Sequence, residues 1–284
     1  MNFVTREINS KYFDGLVGED VFGFIQENAP TKIISRIYKA IDHTEKAIKL
    51  AGLDDEMGTI RLIAAEEELV VAIFEWLKIN EAKMPEHRDV VRMYKNHHAK
   101  LMFYPIISLM RYNISWIFGE GVMSRSSDKL FNARLTMSQN GAKMVFFDCN
   151  EKELISMNPL DIFLTREGDS NIDVIEELFN DLVEKVQEVH GVSLREFVSL
   201  RAEFRNKLLY AEDGGFITGG DDVVGLLKEN FDSTYRTLLW CIAILLSNSP
   251  ANPKLGIISQ FISLYRRVLL HVKVMKSKDF VDLF

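Results

Sequence analysis

The sequence predicts an all-α protein, two helical-bundle lobes with a small inserted β-hairpin, and three observations predict it. Apolar residues recur at helical spacing along most of the 284 residues, and only 6 prolines and 16 glycines interrupt them. That is too little punctuation for a many-stranded β protein. The composition, 47% hydrophobic and 26% charged, is that of an ordinary globular chain and leaves out the disordered and collagen-like classes. One stretch departs from the helical period: Ala133–Gln139 and Ala142–Asp148 flank Asn140-Gly141, a strong short-range hairpin signal. The chain therefore reads as an N-terminal bundle over 1–125, a β insertion over 126–168 and a C-terminal bundle over 169–284.

The first helix opens at Thr31 as cap, carries Ile34, Ile37, Ile41 and Ile48 inward, and stops at Gly52. Asp54-Asp55-Glu56 place negative charge at the start of the next helix, where the macrodipole favours it. That helix runs to about Ala82, and its apolar stripe is Ile60, Ile63/Ala64, Val70/Val71, Phe74 and Leu77. After Pro85 a third helix spans His87 to Phe118, kinked by Pro105, with Gly119 as stop. In the insertion, a further extended piece is expected over Ile162–Thr165. Asn171 caps a helix to His190, stopped by Gly191. Ser193-Leu-Arg-Glu196 has the reciprocal capping-box pattern and opens a helix to Ala211. Asp221 starts another long helix, and Asn252-Pro253 give cap and first-turn proline for the last.

Charge is laid out unevenly. The net of −7 divides into −6 over 1–77, +6 over 78–143, −1 over 144–149, −11 over 150–232 and +5 over 233–284. The total argues against a protein that coats nucleic acid, yet the basic third helix keeps RNA permissible as a partner. Cys149 and Cys241 have no metal-ligand or disulfide spacing, which fits a reducing cytoplasm. Met1–Glu7 lacks the pattern of a secretion signal. The apolar run Leu238–Leu246 is about half the ~20 residues a bilayer span needs, and Leu255–Met275 carries Arg266, Arg267, His271 and Lys273. Neither a membrane nor a cofactor is expected.

Chemistry concentrates on two helices. Glu68 belongs to a solvated row with Arg61, Ala65 and Glu75, whereas Glu67 continues the apolar stripe and needs a partner, because an unpaired buried charge is costly. Lys100 of the following helix is the natural one. On that helix Val90/Val91, Tyr94, His97/His98, Leu101 and Tyr104 form an inward stripe. Adjacent histidines point about 100° apart, a poor arrangement for a shared metal. A metal-dependent hydrolase using Glu66, Glu67 and His97 or His98 is the weaker alternative. Arg92 precedes His97 by five positions. A histidine can carry a proton to or from RNA oxygens near neutral pH, and an arginine can stabilise charge on the phosphate.

On these residues the chain resembles the HEPN superfamily, helical bundles found in toxins, abortive-infection proteins and other defence nucleases. Its R-x(4 to 6)-H motif is matched by Arg92 with His97 or His98. Ala64–Ala72 and Asn96–Lys100 are similar to the glutamate helix and the His/Lys helix of abortive-infection members. A second echo, Phe204–Ala211, has Arg205 and Asn206 but Tyr210 where a histidine is usual, as in a catalytically dead copy. The resemblance implies Arg92 and His97 as a catalytic pair, with His98 beside it and Glu67 orienting. It also implies substrate contacts at Lys95, Asn96, Lys100, Arg205, Asn206 and Tyr210. The implied activity is metal-independent RNA cleavage in defence or growth arrest, by a homodimer held by an antitoxin or regulatory protein. The alternative is a non-catalytic HEPN-like module binding a protein or nucleotide partner.

Overall fold

A computed structural model describes residues 11–81, 88–113, 122–126, 129–162, 171–210, 222–247 and 256–275. The protein is mostly helical with one small antiparallel sheet, as its residue pattern predicts. It forms two compact units, each drawn from two stretches: 1–75 with 203–242, and 76–202 with 243–284.

The first unit holds helices α1 (Lys11–Val17), α2 (Glu19–Asn28), α3 (Thr31–Leu50) and most of α4 (Asp55–Ile79). It also takes the end of α8 (Leu194–Leu209), α9 (Val223–Leu226), a π turn at Leu227–Phe231 and most of α10 (Asp232–Leu246). No helix is expected before Thr31, yet Phe13 of α1 and Phe22 of α2 are fully buried and their rings meet edge to face. Thr31 is not the cap of α3. Pro30 holds that place, and the residues turned inward are Ile33, Ile37, Ala40, Ile41, Thr44 and Ala47. The expected stripe holds at Ile37 and Ile41, while Ile34 is half-buried and Ile48 is 42% exposed. Gly52, at φ +72, ends the helix as expected. Asp54 caps α4 by accepting the Met57 N–H at 2.9 Å.

Of the row on α4 expected to be solvated, Arg61 and Glu68 are half-buried while Ala65 is 0% and Glu75 9% exposed; Glu66, outside that row, is at 2%. The reason is position: Leu62, Leu69 and Ala72 lie off the predicted stripe and are also wholly buried. A helix that is apolar nearly all round is an interior helix, and its amphipathic phase carries little information. Glu68 is the most open of the three consecutive glutamates and pairs with Arg36 at 3.0 Å.

On α3, His43 lies 3.2 Å from the Arg61 guanidinium through its Nδ1. Burial, reinforced by the charges of Lys39 and Arg61, pushes His43 down to about 4. A histidine with a lowered native pKa contributes stability that is present above its unfolded value, about 6.5. That contribution is lost as pH falls from about 6.5 toward about 4. His43→Gln is expected to flatten the pH dependence of urea unfolding in this window, and an unchanged slope would contradict the assignment.

The second unit contains α5 (Arg88–Val91), a 3-10 turn at Arg92–Lys95, α6 (His97–Asn113), α7 (Asn171–His190), most of α8, α11 (Gly256–His271) and the sheet. The sheet is a meander of four strands, β1 (Val122–Ser126), β2 (Lys129–Ser138), β3 (Gly141–Phe147) and β4 (Glu153–Met157). The insertion thus extends the predicted hairpin by one strand on each side. An Asx turn starts β4: the Asp148 carboxylate accepts from the N–H groups of Asn150 and Lys152 at 2.8 and 2.9 Å. The extended piece expected at Ile162–Thr165 is a 3-10 turn at Pro159–Asp161 followed by extended backbone at Ile162, and residues 163–165 lie outside the described residues. The predicted stop at Gly119 and cap at Asn252-Pro253 also lie outside them.

The hairpin turn differs in detail from a two-residue Asn-Gly turn. Ser138 pairs with Gly141, so Gln139 and Asn140 form the loop, and Gly141 takes the positive φ of +109 inside the ladder. The register runs unbroken from this two-residue turn into the ladder. Gly141 lies against the end of α10, where Ser247 Oγ accepts the Ala142 N–H at 2.7 Å and donates to the Ala243 carbonyl. A Cβ at 141 would lie 2.4 Å from Ser247 Oγ and 2.8 Å from its Cα. Gly141→Ala is expected to lower stability by about 1–3 kcal/mol through strain and overpacking. Urea unfolding measures this, and a loss below about 0.5 kcal/mol would count against the contact.

The helix ends of α7 and α8 follow the sequence closely. Gly191, at φ +69, terminates α7. Ser193 and Glu196 close the capping box, with the Ser193 N–H donating to Glu196 at 2.9 Å and the Glu196 N–H to Ser193 Oγ at 3.3 Å. Among the described residues, no helix is long and apolar enough to cross a membrane.

Candidate functional site

The single helix expected from His87 to Phe118 is broken. After the one-turn α5 the chain tightens into the 3-10 turn Arg92–Lys95, extends at Asn96 with ψ 123°, and restarts as α6 at His97. Asn96 causes the restart. Its side-chain oxygen accepts the Ala99 N–H at 3.2 Å and its carbonyl accepts from Lys100, the bonding of an N-cap residue. Asn96→Ala is expected to cost about 1 kcal/mol, while Asn96→Asp keeps the cap. Thermal melting of the pair checks this, and equal losses in both would contradict it. Pro105 lies within α6, which continues through it.

The break decides how the candidate residues are presented. Arg92, Lys95 and His97 are exposed; His98, Met93, Tyr94 and Asn96 are half-buried; Lys100 is 9% exposed. In a continuous helix Tyr94 and His97/His98 would share an inward stripe, but the interruption at Asn96 turns His97 outward as the first residue of α6. Positive side chains and the partial positive charge of a helix start thereby meet on one short segment, a setting that favours anionic groups. Tyr94 is flanked by two cations, one of them Lys78 from α4. Lys78 Nζ lies 3.3 Å and Lys95 Nζ 5.7 Å from its ring centroid.

Two anchors from α11 hold this segment. Arg266 donates to Asp89 through both Nε and Nη2, at 2.8 and 2.5 Å. The Tyr265 hydroxyl donates to the Ala99 carbonyl at 2.5 Å, and its ring meets Phe103, which in turn meets Phe261 edge to face. Lys78, Asp89, Tyr265 and Arg266 were absent from the sequence candidates. Only the position of Lys78 at the start of the basic stretch hinted at any of them.

The other candidates fall elsewhere. Glu67 is 7% exposed on α4 and belongs to the first unit, whereas Arg92, His97, His98 and Lys100 belong to the second. Arg205 and Asn206 lie on α8 and Tyr210 just beyond it, all in the first unit. Asn206 is exposed and its carbonyl accepts the Tyr210 N–H, Tyr210 is 67% exposed, and the side chain of Arg205 lies outside the described residues. Among the described residues, no group of three or more His, Cys, Asp or Glu side chains is placed to hold a metal ion. Cys149 and Cys241 are free thiols, the first exposed and the second pushed up to about 12 by burial.

Fold and site together define a helical protein with a small sheet insertion and a basic, histidine-bearing helix start. No family model, curated protein or solved structure matches the chain.

Proposed function

We propose that the protein is a metal-independent endoribonuclease of the HEPN type, acting in the cytoplasm in defence or growth arrest. The observation that carries the reading is the exposure of Arg92, Lys95 and His97 on one segment, where the Asn96 cap starts α6. In this chemistry the ribose 2′-oxygen loses its proton and attacks the adjacent phosphorus. The bond from phosphorus to the 5′-oxygen breaks, and the departing oxygen takes up a proton. The products are a 2′,3′-cyclic phosphate and a 5′-hydroxyl.

His97 carries one of these protons, with His98 beside it, and Arg92 neutralises charge gathering on the phosphate. Lys95 and the first turn of α6 attract the backbone. The fit to RNA rests on charge and on proton carriers at the same place, neither of which a purely structural helix start requires.

Induced expression tests the biological side. Wild type is expected to arrest growth and His97→Ala to relieve the arrest. Equal toxicity in both, or none in either, would overturn the nuclease reading.

A further inference from the structure

The Arg92–His97 segment is short, partly irregular and half exposed, yet its two flanks are held by consecutive residues of one distant helix. Three residues before Arg92, Asp89 receives the forked hydrogen bonds of Arg266 at 2.5 and 2.8 Å. Both side chains are largely buried, at 11% and 15% exposure. Two residues after His97, the Ala99 carbonyl receives the Tyr265 hydroxyl at 2.5 Å, with Tyr265 wholly buried. Asp89 also caps the local backbone through the Val90 N–H at 2.7 Å.

We infer that Tyr265 and Arg266 of α11 are positioning residues that set the spacing and orientation of Arg92 and His97. The inference rests on the reading of Arg92 and His97 as the reactive pair. Its physical basis is the break itself. A continuous helix fixes the distance from residue 92 to residue 97 by its own hydrogen bonds, but here that ladder is interrupted at Asn96 and the geometry must come from outside. A forked guanidinium-carboxylate pair fixes direction as well as distance, which a lysine cannot do. The tyrosine pins the first turn of α6 on the other side. Misplacement of reacting groups by about 1 Å can cost about 100-fold in rate, so loosening either anchor should lower turnover without removing any group that touches RNA.

The test uses the full-length chain with Arg266→Lys, which keeps the charge but loses the fork, and Tyr265→Phe, which keeps the ring but loses the hydroxyl. Cleavage of a fluorescent single-stranded RNA gives kcat and KM. Modification of each histidine by diethyl pyrocarbonate, resolved by mass spectrometry, gives a readout independent of activity. Both variants are expected to lower kcat about 10- to 100-fold with KM within about twofold. His97 modification is expected to change while that of His43 and His190 stays the same. A lower melting temperature with unchanged kcat and unchanged His97 modification would overturn the inference and leave the anchors as ordinary fold contacts. If wild type does not cleave RNA, the proposed function fails, and His97 modification alone decides the positioning claim: a changed rate upholds it and an unchanged rate overturns it.

Discussion

Alanine at His97 is expected to reduce RNA cleavage by about 10²–10⁴-fold, the span that general acid-base catalysis contributes. Alanine at Arg92 is expected to cost about 10²–10³-fold through lost stabilisation of charge. Both side chains are exposed, Arg92 on the turn before α6 and His97 at its first position, so neither substitution opens a cavity and both variants should melt within about 1 °C of wild type. Separation of activity from stability is what distinguishes a chemical role from a structural one. Loss of both together would point to a helix start that matters only for folding. His98→Ala provides the internal comparison, because the half-buried His98 is the neighbour that the spacing also allows.

The second large effect lies in the first unit and concerns stability alone. Tyr235 of α10 is 0% exposed. Its ring centroid is 5.8 Å from that of Phe13 and 5.6 Å from that of Phe231, and its hydroxyl donates to the Leu62 carbonyl at 2.7 Å. Burial, with the nearby charge of Glu66, pushes the phenol well up from its ordinary value, so it remains a donor across the working pH range. Tyr235→Ala is expected to cost about 3–5 kcal/mol, as for other large aromatic truncations in cores. Tyr235→Phe should cost about 1 kcal/mol, the net worth of one hydrogen bond. Urea denaturation of both separates packing from hydrogen bonding. Similar losses in the two variants would place the energy in the hydroxyl rather than in the ring.

What the sequence makes legible here is local, and what it hides is set by distant packing. The capping box at Ser193 and Glu196, the glycine stop at Gly191 and the Asp54 cap all appear where residue types alone place them. Each depends on interactions within three or four positions. The hairpin is legible for the same reason, although its loop is Gln139-Asn140 with Gly141 paired in the ladder, and the packing of Ser247 against Gly141 comes from a distant part of the chain. The expected stripe of α4 is buried, Glu67 included, but a helix with apolar residues on nearly every side buries other faces too, and only its surroundings reveal that Glu66 and Glu75 are buried.

The candidate site divides along the same line. Arg92 and His97 are recognisable from spacing and residue chemistry, and the structure supplies their exposure. The helix break between them carries a local signal, an asparagine three residues before Ala99, but helical periodicity on both sides masks it. Asp89 and Arg266 are 177 positions apart, and no local pattern joins them. The compact units show the same non-local logic, since each combines an early and a late stretch of the chain.

The most direct test of the account is incubation of the purified wild-type protein with single-stranded RNA in excess chelator, followed by mapping of the product ends. The account predicts cleavage that persists without divalent metal and leaves 2′,3′-cyclic phosphate and 5′-hydroxyl ends, abolished in the Arg92→Ala and His97→Ala proteins. RNA that stays intact, or cleavage that stops when metal is removed, would contradict it.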